Sequence, residues 1–521
     1  MSDPNGMNGA RALLRTLVAA GVDVCFMNPG TSEMHFVAAL DDVPEMRGVL
    51  ALFEGVATGA ADGYARMAGR PAAVLLHLGP GLGNGLANLH NARRAGSPVV
   101  AVVGDHATHH KRYDAPLDSD IPTAARNVST WVRASGSPAE VAADAAEAVA
   151  AALGPPGQVA TLILPADVSW TDGAEPATPR PPAAPRPPAD DAVAAVAAAL
   201  AGGEPAALLL GGTACRARAL RAAGRVGATT GARLLCETFP ARLERGAGLP
   251  PVERLGYLAE QATKQLDGLR HLVLVDAKHP VSFFAYPGLP SDLVPDGCAV
   301  HVLAGPGDDA AAALEGLAEV VGAPADAAVP QPARRPDLPT GPLTPRGVAD
   351  VLGHLLPENA IVSDEGNTAG AYAARSTAGA PRHDWLCLTG GAIGQGLPVA
   401  LGAAVACPDR RVIALQADGS ALYTPQSWWT MARERLDVTT LLLNNRSYAV
   451  LNRELDRVGA TAGGPRAKAM LRLDDPELDL VGLAASMGVP ASRATTCEEL
   501  AEQLAASLDR PGPAVIDCVL P

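Results

Sequence analysis

Short, almost uninterrupted runs of apolar residues recur along the chain and set the strongest limit on its fold. They read AAVLLHL (Ala72–Leu78), SPVVAVVG (Ser97–Gly104) and ATLILP (Ala160–Pro165) early on. PAALLLGG (Pro205–Gly212) and HLVLVDA (His271–Ala277) follow in the middle, and RVIALQADG (Arg411–Gly419) and VTTLLLNN (Val438–Asn445) near the end. Runs this brief, without polar alternation, predict strands covered on both faces, which is the situation of parallel strands. Helix-length segments such as EVAADAAEAVAAAL (Glu140–Leu153) and EELAEQLAASL (Glu498–Leu508) lie between them. The rhythm is β-α-β, and the expected class is α/β with doubly wound parallel sheets.

At 521 residues the chain exceeds one ordinary core. Two proline-rich stretches, Pro176–Asp190 and Ala323–Pro345, fix backbone torsions and remove donors, so they read as connectors. They predict three α/β units: 1–175, 190–325 and 342–521. The uncharged stretch Leu386–Pro408 is long enough to cross a bilayer, but its glycines, two prolines and Gln395 predict a glycine-rich loop leading into a packed helix. Lys and Arg number 41 against 55 Asp and Glu, a net charge of −14 that repels nucleic acid and anionic lipid surfaces. Eight cysteines without a C-x-x-C pair predict reduced thiols, no zinc site and a cytoplasmic protein. The opening residues lack the basic-then-apolar order of a signal peptide.

In parallel α/β sheets ligands collect at the carboxyl ends of strands, so the loops after the apolar runs carry the functional signal. In the last third, the run ending at Gln416 is followed by Ala417-Asp418-Gly419-Ser420, and the next ends in Asn444-Asn445-Arg446-Ser447-Tyr448. Each motif alone reads equally well as a turn or a polar loop. Together, with one helix between, they bring the side chains of Asp418 and Asn445 out side by side at one sheet edge. With one backbone carbonyl, for which Ser447 is the candidate, they supply three hard oxygen ligands and leave room on Mg²⁺ for diphosphate oxygens and water. Asp364-Glu365-Gly366-Asn367-Thr368 and Thr389-Gly390-Gly391-Ala392-Ile393-Gly394-Gln395-Gly396 add strand ends where backbone amides can approach a phosphate.

Asp418-Gly419 followed at this spacing by Asn444-Asn445 resembles the cofactor motif of thiamine diphosphate enzymes. The whole chain is similar to the group that includes benzoylformate decarboxylase, pyruvate decarboxylase and acetolactate synthase. Ala417 stands where the family usually has glycine. The resemblance implies thiamine diphosphate and Mg²⁺ as cofactors, with Asp418, Asn445 and Ser447 on the metal. Asn367, Thr368, Gly391, Ile393, Gly419, Ser420 and Tyr448 are expected around the cofactor, Ile393 pressing the aminopyrimidine towards the thiazolium or simply filling the core. In the first unit Glu54 matches the glutamate that bonds a ring nitrogen of the aminopyrimidine and lets its imine take the thiazolium proton. Read without the family, Glu54 is a helix N-terminal acid favoured by the dipole. His77 and Thr31 align with the histidine and the serine that benzoylformate decarboxylase places near the thiazolium. His77 reads equally as a satisfied core histidine.

The implied chemistry is decarboxylation of a 2-oxo acid through an enamine intermediate. Carboligation of that carbanion to a second carbonyl is the alternative, and a non-catalytic cofactor-binding scaffold is the third reading. Family members pair two chains to build the site, so a homodimer or dimer of dimers is expected. The middle unit carries only Gly211-Gly212 rather than G-x-G-x-x-G, so FAD is not expected. Tyr113–Asp118 replaces the Phe-Gln pair usual in acetolactate synthases. The stretch Pro280–Tyr286 lacks the middle-domain histidine of benzoylformate decarboxylase. His106, His109, His110 and Lys111 read as a polar entrance or as a solvated loop.

Overall fold

The computed structural model describes residues 6–460 and 464–521. The apolar runs become the central strands of three sheets. The first has six parallel strands in the order Arg47–Leu50, Val24–Asn28, Ala72–Leu76, Val99–Asp105, Val159–Pro165 and Trp131–Ala134. The second has five parallel strands: Glu253–Arg254, Arg233–Cys236, Ala206–Leu210, His271–Val275 and Ala299–Ala304. The third has seven: Leu243–Arg245, His383–Cys387, Ile361–Glu365, Val412–Ala417, Val438–Asn444, Ala514–Val519 and Ala491–Ala494. The chain is thus α/β, with helices covering both faces of its parallel sheets. Full burial explains why the central strands show no polar alternation: every residue of Val99–Asp105 and of Val438–Asn444 is buried.

Besides a short antiparallel pair, Met7–Asn8 with Asp172–Ala174, a strand of the third sheet departs from the expected pattern. Leu243–Arg245 comes from the middle of the chain yet pairs antiparallel with His383–Cys387 at the edge of the third sheet. Its three residues, Leu-Glu-Arg, are too few for a periodicity to register. Leu386–Pro408 forms the end of a strand, a glycine-rich loop and the helix Gly396–Ala406. Among the described residues no helix is long and apolar enough to cross a membrane.

The first and third sheets are joined through two helices, Glu54–Ala68 and Gly396–Ala406, both buried along almost their whole length. Small residues let the backbones touch. A Cβ on Gly402 would lie 1.8 Å from the Ala60 carbonyl oxygen, and one on Gly63 would lie 2.1 Å from that of Val399. Both obstacles are backbone atoms in packed helices and cannot swing away. Gly402→Val should therefore destabilise the protein by about 3 kcal/mol, read as a lower urea midpoint with an unchanged slope.

Candidate active site

In the third sheet, Ile361–Glu365, Val412–Ala417 and Val438–Asn444 are neighbours, and their carboxyl ends carry the predicted motifs to one edge. Asp418 opens a short helix and is buried. Its Oδ1 accepts from the Gly419 N–H at 2.8 Å and its Oδ2 from the Arg446 N–H at 2.6 Å, so the two predicted loops are bonded to each other. Asn444 is spent on the fold, donating to Asp517 at 2.9 Å. Asn445 stays in the loop and accepts from the Ser447 N–H at 3.0 Å. Arg446 between them has a φ of 55°, the sharp reversal that lets its amide face Asp418. Ser420 accepts from Asn367 Nδ2 at 3.0 Å, with half-buried Thr368 beside it. Tyr448 lies against Gly419, where a Cβ would be 2.5 Å from its ring.

The glycine loop Gly390–Gly396 closes the same group. A Cβ on Gly394 would lie 2.5 Å from Tyr423 Cβ, which places the loop against the segment that follows Asp418. Ile393, just before it, is half-buried, and Gly391 has a φ of +76° that favours glycine. Glu365, not singled out from the sequence, holds this loop: its carboxylate accepts from the amides of Gly394 (2.7 Å) and Gly396 (2.6 Å) and from Gln416 (2.9 Å). Burial pushes its pKa up, opposed by those donors. Asn91 supports the loop from the first unit, donating to the Ala392 carbonyl at 2.8 Å, while Asn88 donates to the carbonyls of Gly55 and Gly394.

The second group sits at the strand ends of the first sheet. Glu54 is the first residue of its helix, 6% exposed, and its Oε2 accepts from Asn84 at 3.0 Å. His77 stands at the start of the helix Leu78–Ala95, and its Nδ1 meets Oε2 of Glu33 at 2.8 Å. Glu33 is fully buried and also accepts from the Gly30 N–H at 2.8 Å. Burial raises its pKa, with His77 and the amide pulling the other way. Glu33, two residues after Thr31, was not singled out from the sequence. Thr31, in the turn before it, is exposed. The loop with the extra histidines folds over the turn after His77: Lys111 Nζ is held by Asp105 and Asp118, and a Cβ on Gly79 would lie 1.8 Å from Ser119 Oγ.

Among the described residues no hydrogen bond or ion pair joins Glu54, His77 or Thr31 to Asp418, Asn445 or Ser447. Nor does any group of three His, Cys, Asp or Glu side chains stand ready to hold a metal. The Asp418 donor set nevertheless fits a divalent cation. Its carboxylate is buried with backbone amides alone for partners, burial raises its pKa, and no cationic side chain lies within ion-pair distance among the described residues. Such a charge gains most from a metal that brings its own anionic ligand.

Comparison with known proteins agrees with this division into two groups. Residues 7–123 match the family described as thiamine pyrophosphate enzyme, N-terminal TPP binding domain, and residues 364–518 match the corresponding C-terminal TPP binding domain. The chain is 63% identical over 516 residues to a Mycobacterium tuberculosis (strain ATCC 25618 / H37Rv) protein named "Putative acetolactate synthase large subunit IlvX", covering 99% of each. It is 31% identical over 522 residues to the benzoylformate decarboxylase of Pseudomonas aeruginosa, covering 94% of this chain and 95% of that one. In fold it superposes on a Rhodococcus jostii RHA1 thiamine diphosphate-dependent 4-hydroxybenzoylformate decarboxylase with a TM-score of 0.86, at 24% identity and 99% coverage of both. With both binding domains matched and relatives aligned over almost its full length, the chain belongs to the thiamine diphosphate enzyme family.

Proposed function

We propose that this enzyme decarboxylates a 2-oxo acid with thiamine diphosphate and Mg²⁺. The observation that carries this reading is the His77–Glu33 pair, a histidine held at 2.8 Å by a fully buried carboxylate at the strand ends beside Glu54. When bound, the cofactor supplies the electron sink that makes loss of the carboxylate feasible. Asp418, Asn445 and the Ser447 carbonyl would hold the metal. Asn367, Thr368, Gly419, Ser420 and Tyr448 would surround the diphosphate, and Gly391 and Ile393 the rings. Glu54, its carboxylate fixed by Asn84, would face a ring nitrogen of the bound cofactor and be placed to pass a proton there. His77, oriented through Nδ1, would keep Nε2 available to deliver a proton, and exposed Thr31 would line the approach.

Carboligation is the second reading, favoured by the name of the 63% identical relative. That outcome would require the histidine not to deliver its proton, whereas a histidine oriented by Glu33 favours the aldehyde. Retention of Glu54, which a pure scaffold does not need, weighs against a non-catalytic role. We assign the two site groups to facing copies of the chain, hence a homodimer or dimer of dimers, because they end different sheets and, among the described residues, no hydrogen bond or ion pair joins Glu54, His77 or Thr31 to Asp418, Asn445 or Ser447. The units are drawn as 1–175, 190–325 and 342–521. FAD is not among the proposed cofactors, since the strand end at Leu210 carries only Gly211-Gly212 in place of a dinucleotide fingerprint. A cytoplasmic location accords with eight unpaired cysteines.

Incubation with pyruvate or phenylglyoxylate, thiamine diphosphate and Mg²⁺ tests the reading by product. An aldehyde with carbon dioxide is expected; an acyloin or acetohydroxy acid would favour carboligation, and no carbon dioxide from any 2-oxo acid would favour the scaffold. Glu54→Gln should cut turnover by roughly 10²–10⁴-fold while calorimetry shows cofactor binding retained. Asp418→Ala should weaken Mg²⁺-dependent cofactor affinity by about a hundredfold, and unchanged affinity in that titration would remove the metal assignment. Glu33→Gln should lower aldehyde formation by about tenfold or more with cofactor affinity kept, since it loosens the histidine and leaves the cofactor groove alone.

A further inference from the structure

Ile393 stands in a stretch outside helix and strand, bracketed by Gly391 and Gly394 with φ of +76° and +92°. The shape of such a loop depends on what bonds its amides and carbonyls. Here both neighbours of Ile393 are held by side chains. The Ala392 N–H donates to Asn91 Oδ1 at 3.2 Å, and the Ala392 carbonyl accepts from Asn91 Nδ2 at 2.8 Å. The Gly394 N–H donates to Glu365 at 2.7 Å, while its carbonyl accepts from Asn88 at 3.3 Å and from the Thr424 hydroxyl at 3.0 Å.

Asn88 and Asn91 lie one turn apart on one face of the helix Leu78–Ala95 and are 3% and 0% exposed. Asn91 Nδ2 also donates to Asn88 Oδ1 at 3.0 Å, and Asn88 Nδ2 to the Gly55 carbonyl at 2.7 Å. Each amide nitrogen thus gives both its protons and each amide oxygen accepts, so neither side chain is free to turn. The backbone makes room for them: a Cβ on Gly390 would lie 2.3 Å from Asn91 Oδ1, and one on Gly59 would lie 2.9 Å from Asn88 Nδ2. Because Gly55 and Gly59 belong to the buried helix Glu54–Ala68, the pair is anchored on packed helices and not on the loop it holds.

We propose that Asn88 and Asn91 are positioning residues that act through Ile393, fixing the direction in which its side chain meets the rings of the bound cofactor. The proposal rests on the reading above, in which Gly391 and Ile393 surround those rings. The peptide plane before Ile393 is held by Asn91 through the Ala392 carbonyl, and the plane after it by Glu365 through the Gly394 N–H. Asn88 holds the next plane and keeps the Asn91 amide in its orientation. Peptide planes are rigid, so fixing those on both sides of one Cα sets its φ and ψ and the line of its Cα–Cβ bond.

The test reads the cofactor and not the product. Protein loaded with thiamine diphosphate and Mg²⁺ is placed in deuterium oxide without substrate, exchange of the thiazolium C2 proton is stopped by acid and followed by NMR, and calorimetry gives cofactor affinity. Asn91→Ala should slow the exchange about tenfold with affinity kept, and Asn88→Ala should act in the same direction. In the Ile393→Ala background Asn91→Ala should slow it no further, since nothing is left to position. His90→Ala removes a 3.1 Å contact with the Gly390 carbonyl, outside these planes, and should leave the rate unchanged. Asn91→Asp keeps the volume and the acceptor but loses both donated bonds; it should match Asn91→Ala and replaces it if the alanine variant does not fold. Multiplying effects in the double variant, equal slowing by His90→Ala, or unchanged exchange in the Asn91 variants overturns the proposal. The expected pattern in a protein that releases no carbon dioxide from any 2-oxo acid upholds it and removes the decarboxylase reading instead.

Discussion

The buried pair of Asp62 and Arg66 ties the three parts of the chain together, and the helix that opens with Glu54 and the glycine loop are both held by it. Both side chains are almost fully buried one turn apart on the helix Glu54–Ala68, bonded through both carboxylate oxygens. Arg66 also donates to the carbonyl of Ala241 in the middle of the chain, to that of Cys387 and to the hydroxyl of Thr389 in the last third. Asp62 accepts from Ser97 and, across to the glycine loop, from Gln395 at 2.6 Å. A buried charge pair contributes little net stability, but removing one partner strands the other and costs about 3–5 kcal/mol. Its value lies in direction: a guanidinium can satisfy Asp62, two main-chain carbonyls and a hydroxyl only when the segments that carry them meet in one arrangement. Because Glu54 starts this same helix, the device that fixes the assembly also fixes the carboxyl proposed for proton exchange.

Much of the architecture was written in local pattern, and the reasons for the exceptions are physical. The central strands could be read because both faces are covered, which removes polar residues from consecutive positions. The Asp418 and Asn445 loops could be read because adjacent parallel strands deliver successive loops to one edge. Glu33, Glu365 and Asn91 could not, since their partners lie on other elements and nothing in their neighbours announces which oxygen meets which amide. Glu33 is the instructive case. It lies two residues from Thr31, yet its pairing with His77 appears only when the strand Ala72–Leu76, which leads into His77, is laid beside Val24–Asn28.

The first and third sheets each present carboxylates at their strand ends that are buried and held by main-chain amides: Glu33 by Gly30, Glu365 by Gly394 and Gly396, Asp418 by Gly419 and Arg446. Amides fixed in this way stabilise the anion without supplying a mobile counter-charge. The loops that would meet a charged cofactor are therefore set before anything binds, which reduces the ordering cost of binding.

The antiparallel ribbon Leu243–Arg245 also bears on how the molecule can be divided. It covers the outer hydrogen-bonding edge of His383–Cys387, whose strand is otherwise the open flank of the third sheet. A fragment beginning at the second proline-rich connector would lose that cover and present a bare row of amides and carbonyls in a hydrophobic strand, a template for self-association. The last third of this protein is in that sense on loan from the middle: its solubility as a separate piece depends on a three-residue guest encoded about a hundred positions upstream of the rest of its sheet.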